Sequence, residues 1–338
     1  MEKANALRTR CALLVTIAVG LPLSAAGACR LVKLGEVPIR FENFIVVDVS
    51  LNGHATQLIV DTAGQASLLF QPAIDRYELK RMGAAEGSCG TGGCNATKLV
   101  AVKDFALAEY VVHDLRFAAS PASIGNSQIA GLLGQDFLSK FDVEFDRASN
   151  RMRLFQPQGC NGDLAYWTDA YAMVKLDADH SERHWLQGPV SLNGHQLMAL
   201  FDTGTNYTTV LTRVTQRSGL APETPLEHGG RMGGVGLKTL ETSHARFSSI
   251  TVGQETVQHP ELTVADVFAN VREVHLGSLI EQTWFQEPDI VVGADFFRAH
   301  RVYIANSQGK IYFTYLGGVP YGPVAAPDKT VPPASPQQ

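Results

Sequence analysis

Two aspartates carry the chemistry this chain offers, and each stands at the end of an apolar run. Asp61 lies in LIVDTAGQASLL (residues 58–69) and Asp202 in LFDTGTNYTTVL (residues 200–211). Each follows, by seven residues, the His of an identical pentapeptide, SLNGH, at residues 50–54 and 191–195. Two carboxylates within hydrogen-bond reach cannot both ionise, so they share one proton and titrate as a pair. One then acts as base toward a bound water and the other as acid toward the carbonyl under attack. That is hydrolysis without a metal ion or a covalent intermediate.

The elements that must position these carboxylates are themselves repeated. LVKLGEVPIRFENFIVVDVSLNGH, from Leu31, and MVKLDADHSERHWLQGPVSLNGH, from Met173, align with a single one-residue gap. Each copy reads as a strand, an Asn-Gly turn (Asn52-Gly53 or Asn193-Gly194) and a second strand ending in the Asp; Asn-Gly between apolar runs is a strong hairpin signal. Later, IAGLLGQDFLSKFDVEFDRASNRMRLF and DIVVGADFFRAHRVYIANSQGKIYF match at a constant offset of 159, with Asn150 and Gly309 at one hairpin tip. Short strands with turn punctuation, plus one short helical piece after Gly134 or Gly293, predict an all-β chain of two related lobes. The first spans residues 29–157, a linker 158–171 and the second 172–315. The Asp-to-Gly spacing is 73 residues in the first lobe and 91 in the second. Most of the excess falls in residues 268–289, read either as a lid or helix beside the cleft or as core filling.

Asp-Thr-Ala or Asp-Thr-Gly after an apolar run, followed much later by two apolar residues and Gly, resembles the aspartic proteases of the pepsin and retroviral-protease superfamily. Both halves carry it: Asp61-Thr62-Ala63 with Leu132-Leu133-Gly134, and Asp202-Thr203-Gly204 with Val291-Val292-Gly293. Compact lobes and Gly-x-Asp-Phe after the second motif look more like the retropepsin side. The resemblance covers residues 31–315 and implies two retropepsin-like β-barrel lobes related by a pseudo-twofold axis. It also implies an aspartic endopeptidase with Asp61 and Asp202 as the catalytic dyad, Thr62 and Thr203 locking the two loops across the lobes, and Ala63, Gly204 and Thr205 supporting them. The substrate is then a peptide or protein, and neither cofactor nor metal is called for. By the same resemblance the Gly-rich stretches are flaps: GSCGTGGC (87–94), with Gly90, Thr91, Gly92 and Gly93, and GGRMGGVG (229–236), with Met232, Gly233 and Gly234. An ordinary flexible hairpin tip is the plainer alternative. With both half-sites in one chain, a monomer suffices. A non-catalytic peptide- or partner-binding protein on the same fold is the alternative function.

The half-sites differ. Ala63 replaces the more usual Gly close to where the carboxylates must meet. Only Thr205, and not Gly64, has a hydroxyl three residues after its Asp. Donation from it is expected to leave Asp202 ionised and the shared proton on Asp61.

The remaining features bound the setting. Lys3, Arg8 and Arg10, a short apolar run and Ala26-Gly27-Ala28 read as an export signal over residues 1–28, too short and interrupted for a stable membrane span. Cys29 would then begin the mature chain, either free or lipidated, in the periplasm of a Gram-negative bacterium. Outside the signal stand Cys29, Cys89, Cys94 and Cys160, an even number that predicts disulfides, with three connectivities open. CGTGGC would close a tight Cys89–Cys94 loop and leave Cys29 for Cys160. Residues 316–338 are Pro-rich and expected to be disordered. The formal charge of −5, without a basic cluster in the body, excludes nucleic acid as a partner. DADHSERH (177–184) reads as a solvated hairpin rather than a metal cluster. Asp136 and Asp295 open a short helix and read as structural, and His54 and His195 have no nucleophile to activate. A glycan at Asn206, in NYT, would sit beside the dyad, which argues against a eukaryotic secretory origin.

Overall fold

Each Asn-Gly pair takes the left-handed backbone its hairpin needs, with Asn52 at φ 50°, Gly53 at 85°, Asn193 at 51° and Gly194 at 81°. The structure, a computed structural model, describes residues 29–121, 123–177, 185–271 and 287–322. The expected signal segment, nearly all of the DADHSERH hairpin, most of the insert and most of the Pro-rich tail lie outside the described residues.

The first half runs β1 (Arg30–Phe41), β2 (Ile45–Leu51), β3 (His54–Val60), β4 (Leu68–Phe70), α1 (Gln71–Arg76), β5 (Lys80–Gly90), β6 (Gly93–Leu107), β7 (Tyr110–Ser120), β8 (Ile129–Leu133), α2 (Gln135–Leu138), β9 (Asp142–Asp146) and β10 (Arg151–Gln158). β2, β3, β8, β4, β7 and β6 pair in that order, and β6 returns to β2 at Ser50↔Ala106 and Leu51↔Phe105. The result is a closed six-stranded barrel, which removes the exposed edges an open sheet would carry. Leu58, Val60, Phe105, Phe117 and Leu133 are among the apolar side chains packed in its core.

The second half follows the same path: β11 (Ala172–Lys175), β12 (Gln187–Leu192), β13 (His195–Phe201), β14 (Thr209–Leu211), α3 (Thr212–Thr215), β15 (Glu227–Met232), β16 (Leu240–Arg246), β17 (Ser249–Val252), β18 (Glu255–Gln258), β19 (Glu261–Ala265), β20 (Ile290–Val292), α4 (Ala294–Ala299), β21 (His300–Ala305) and β22 (Lys310–Tyr315). Registers show that β16 and β17 together occupy the place of β6, and β18 and β19 that of β7. The interruption falls at Phe247-Ser248 and at His259-Pro260, where proline has no N–H for a ladder. The Phe247 N–H donates to Pro260 O at 3.0 Å and the His259 N–H to Ser248 O at 3.0 Å, which carries the pairing across the break.

One sheet joins the halves in the order β11-β22-β21-β9-β10-β1, with β9 and β21 pairing antiparallel at its centre. β9 buries three carboxylates, Asp142, Glu144 and Asp146. Glu144 accepts from Arg153 at 2.9 Å, Arg301 at 2.6 Å and the Tyr166 hydroxyl at 2.9 Å, so cations from both halves compensate its charge.

Both disulfides follow the pairing read from the spacing. Cys29–Cys160 ties the start of β1 to the chain after β10, and Cys89–Cys94 spans the tip of the β5–β6 hairpin. The Cys29 sulfur is thereby committed, which is incompatible with a lipid thioether on the same atom. Disulfides fit an extracellular or periplasmic setting. Among the described residues no helix is long and apolar enough to cross a membrane.

Candidate active site

Each aspartate sits at the carboxyl end of a parallel strand pair, β3 with β8 and β13 with β20. The Asp61 N–H donates to Leu133 O at 3.0 Å, and the Asp202 N–H to Val292 O at 2.8 Å. Behind each loop a second aspartate holds the turn. Asp136 accepts from the Ser67 N–H at 2.9 Å and its hydroxyl at 2.6 Å; Asp295 accepts from the Thr208 N–H at 2.8 Å and its hydroxyl at 2.7 Å. Those hydroxyls in turn accept from Gly134 N–H at 2.9 Å and Gly293 N–H at 3.1 Å. Asp136 and Asp295 therefore pin the loops from behind, the structural part read for them. Burial raises the Asp295 carboxyl to about 6 against its hydrogen-bond donors.

The two loops face each other through the threonines. The Thr62 N–H donates to Thr203 Oγ1 at 3.1 Å and the Thr203 N–H to Thr62 Oγ1 at 3.0 Å. Each hydroxyl continues across the boundary, Thr62 to Phe201 O at 2.8 Å and Thr203 to Val60 O at 2.6 Å. Both threonines are buried, so each of these groups would lose a full hydrogen bond if the halves separated. The lock brings Asp61 and Asp202 within hydrogen-bonding reach of each other.

The donors around the pair depart from the sequence expectation at Thr205. Asp61 Oδ1 accepts two backbone N–H groups, Gly64 at 2.7 Å and Ala63 at 3.0 Å. Asp202 Oδ1 accepts Gly204 N–H at 2.7 Å, and the Thr205 backbone N–H is a second donor to this carboxyl; the Thr205 hydroxyl makes no hydrogen bond to it among the described residues. Burial raises both carboxyls. It acts against the Gly64 and Ala63 donors at Asp61, and together with the charge of Asp61 it carries Asp202 well above the usual carboxylate range. Two carboxyls so placed share one proton and titrate as a pair.

Ala63 is accommodated with its N–H used on Asp61. The tight position is its counterpart Gly204, where a Cβ would come within 2.7 Å of Asp61 Cγ and 3.0 Å of Asp202 Oδ1. One residue beside the dyad escaped sequence reasoning. Buried Gln135 donates from Nε2 to Thr62 O at 2.7 Å and leaves Oε1 without a partner, while the repeat places Ala294 at the matching position. The Gly-Gln-Asp against Gly-Ala-Asp difference was its only signal.

The two Gly-rich stretches meet each other. The Gly92 N–H donates to Val235 O at 2.8 Å, the Lys238 N–H to Gly92 O at 2.9 Å, and Gly92 bridges to Gly236. A Cβ on Gly236 would lie 2.1 Å from Gly92 C, so the crossing requires glycine on both sides. Asn270 adds a side-chain hydrogen bond to Thr91 O at 2.8 Å. Of the stretch residues singled out, Gly92 meets the opposite tip, Gly90 packs on Val235, and Gly234 lies against Thr91. Gly93 approaches Asn270, and Met232, Gly233 and Gly234 line the space beneath. That space is a cavity of about 740 Å³, bounded also by Phe44, Ile124, Gly204, Thr205 and His244. Among the described residues no group of His, Cys, Asp and Glu is arranged to hold a metal.

Comparison with known proteins adds three findings. A family model described as aspartyl protease matches two segments, residues 47–137 and 188–296, one in each half. Among solved structures, an aspartic proteinase from Irpex lacteus is 14% identical with a TM-score of 0.48, the match covering 83% of this chain and 97% of that one. No curated protein matches.

Proposed function

Because this chain belongs to the aspartyl protease family, we propose that it is an aspartic endopeptidase whose dyad is Asp61 and Asp202. The observation that carries the reading is the reciprocal Thr62–Thr203 lock, which holds two buried carboxyls against each other in opposed loops. The ionised member of the pair takes a proton from the attacking water, and the protonated member donates to the carbonyl oxygen of the scissile peptide. The tetrahedral adduct then collapses as a proton passes to the leaving nitrogen. The tips around Gly92 and Gly236 act as flaps, opening to admit an extended peptide and closing to exclude water.

The remaining parts of the proposal follow from one chain supplying both half-sites. Residues 29–157 and 172–315 form the lobes, 158–171 connects them, and the protein works as a periplasmic monomer. The test is cleavage of a diverse peptide library between about pH 3 and about pH 8, the range in which such a pair shares one proton, beside Asp202→Asn. Cleavage that is lost in the variant and blocked by a statine-type inhibitor supports the reading. A folded wild-type protein that cuts nothing rejects it.

A further inference from the structure

The duplication allows the half-sites to be compared rung by rung. One rung of the first barrel crosses β2, β3, β8, β4, β7 and β6 at Val46, Ile59, Leu132, Leu68, Ala118 and Leu99. The matching rung of the second half crosses β12, β13, β20, β14, β19 and β16 at Gln187, Leu200, Val291, Thr209, Thr263 and His244. Residues paired across a ladder present their side chains to one face, so the two rows look in corresponding directions. All six residues of the first row are apolar, whereas four of the six in the second are polar.

In the first half, Val46, Ile59, Leu68, Ala118 and Leu132 form an apolar cluster, with Phe44, Ile124 and the opposite flap's Val235 packed on it. In the second half the row opens onto the cavity through Thr263 and His244, beside Thr242. Their polar capacity is largely unspent. His244 Nδ1 meets only Thr263 Oγ1, at 3.5 Å, and Nε2 lies beside Gly229, where a Cβ would stand 2.6 Å from it, with no hydrogen bond to it among the described residues. Asn206, which also lines the cavity, has Oδ1 buried without a partner, an acceptor that a carboxamide N–H can satisfy. Arg231, paired with Glu241 at 2.6 Å, and Lys238 also line the cavity.

We propose that His244 and Thr263 form the subsite for a side chain flanking the scissile bond, and that this subsite selects a carboxylate or carboxamide side chain. The first-half row selects an apolar one on the other flank. The proposal rests on the peptidase reading. It makes His244 a specificity residue, with an imidazole N–H and the Thr263 hydroxyl directed at an acceptor oxygen.

The test uses peptides Phe-X and X-Phe in one flanking sequence, X being Glu, Gln or Leu, and compares kcat/KM. Reduced-bond versions that resist cleavage are titrated by calorimetry. In one of the two orders Glu and Gln exceed Leu by about tenfold or more, the range of one or two hydrogen bonds to a buried acceptor. His244→Leu with Thr263→Ala, which installs the first half's residues, reverses that ratio, and His244→Gln, which keeps a donor, retains it. Leu equal to or better than Glu and Gln in both orders overturns the subsite while leaving the peptidase reading intact, and that ratio is read on the wild-type protein whatever the variants' folding. If nothing is cleaved, the peptidase reading falls, and the reduced-bond peptides decide the subsite. Tighter Glu or Gln binding supports it; equal affinity or no binding rejects it.

Discussion

At Gly204 there is no room for a side chain, because a methyl group there would stand 2.7 Å from Asp61 Cγ. Gly204→Ala should therefore lower kcat by about 100-fold or more, the cost of displacing a reacting group by about 1 Å. Ala63→Gly should leave kcat little changed, since Ala63 contributes its N–H and that remains; steady-state kinetics on one peptide compares the two. A shared proton has two consequences of definite sign. Activity falls at high pH when that proton leaves the pair, and at low pH when the pair gains a second. For stability, a carboxyl raised in the folded state contributes fully below its ordinary range, and the contribution is lost as pH rises through the folded value. Asp202→Asn should thus gain Tm over the parent as pH rises from about 4 to about 7, and thermal melts at both ends check this. The Asp-Thr loops were legible in the sequence because their motif is contiguous. The donor set at Asp202 was not, because whether Thr205 presents its hydroxyl or its backbone N–H depends on the folded loop.

Among elements, the proposed reading gives the glycine tips and the threonine lock different parts to test. Removing the Cys89–Cys94 bond, which joins directly paired residues of β5 and β6, loosens a tip held to the other half through Gly92. The double Cys→Ser variant should raise KM several-fold, with a smaller effect on kcat, as expected for a closing element that binds substrate. Thr203→Val should instead lower stability by about 1–3 kcal/mol, because the Thr62 N–H loses its buried acceptor, and should lower kcat through misalignment. Denaturant unfolding with parallel kinetics separates these effects. Strand pattern and Asn-Gly turns made the doubled hairpin readable. The division of β6 and β7 into four strands in the second half was not, since Ser248 and Pro260 look like ordinary loop residues until their register is known.

For the molecule as a whole, the six-stranded sheet through β9 and β21 is what joins the first-half barrel and the second-half sheet into one protein. Glu144 lies at its centre with no exposed surface and three donors. Glu144→Ala would leave Arg153 and Arg301 without that compensation and should cost about 3–5 kcal/mol of unfolding free energy, measured by urea denaturation. Nothing in FDVEFD (141–146) announces this burial, because the compensating cations come from β10 and β21.

The sequence by itself determined the duplication, the paired Asp-Thr loops and the all-β class. All of these rest on periodicity, turn chemistry or spacing within short stretches of chain. Only the tertiary structure decided which of three cysteine connectivities forms, that the glycine tips touch, that Gln135 backs one loop, and that one barrel rung is apolar where its counterpart is largely polar. Those properties depend on partners brought together from both halves of the chain and on burial, which no local pattern encodes.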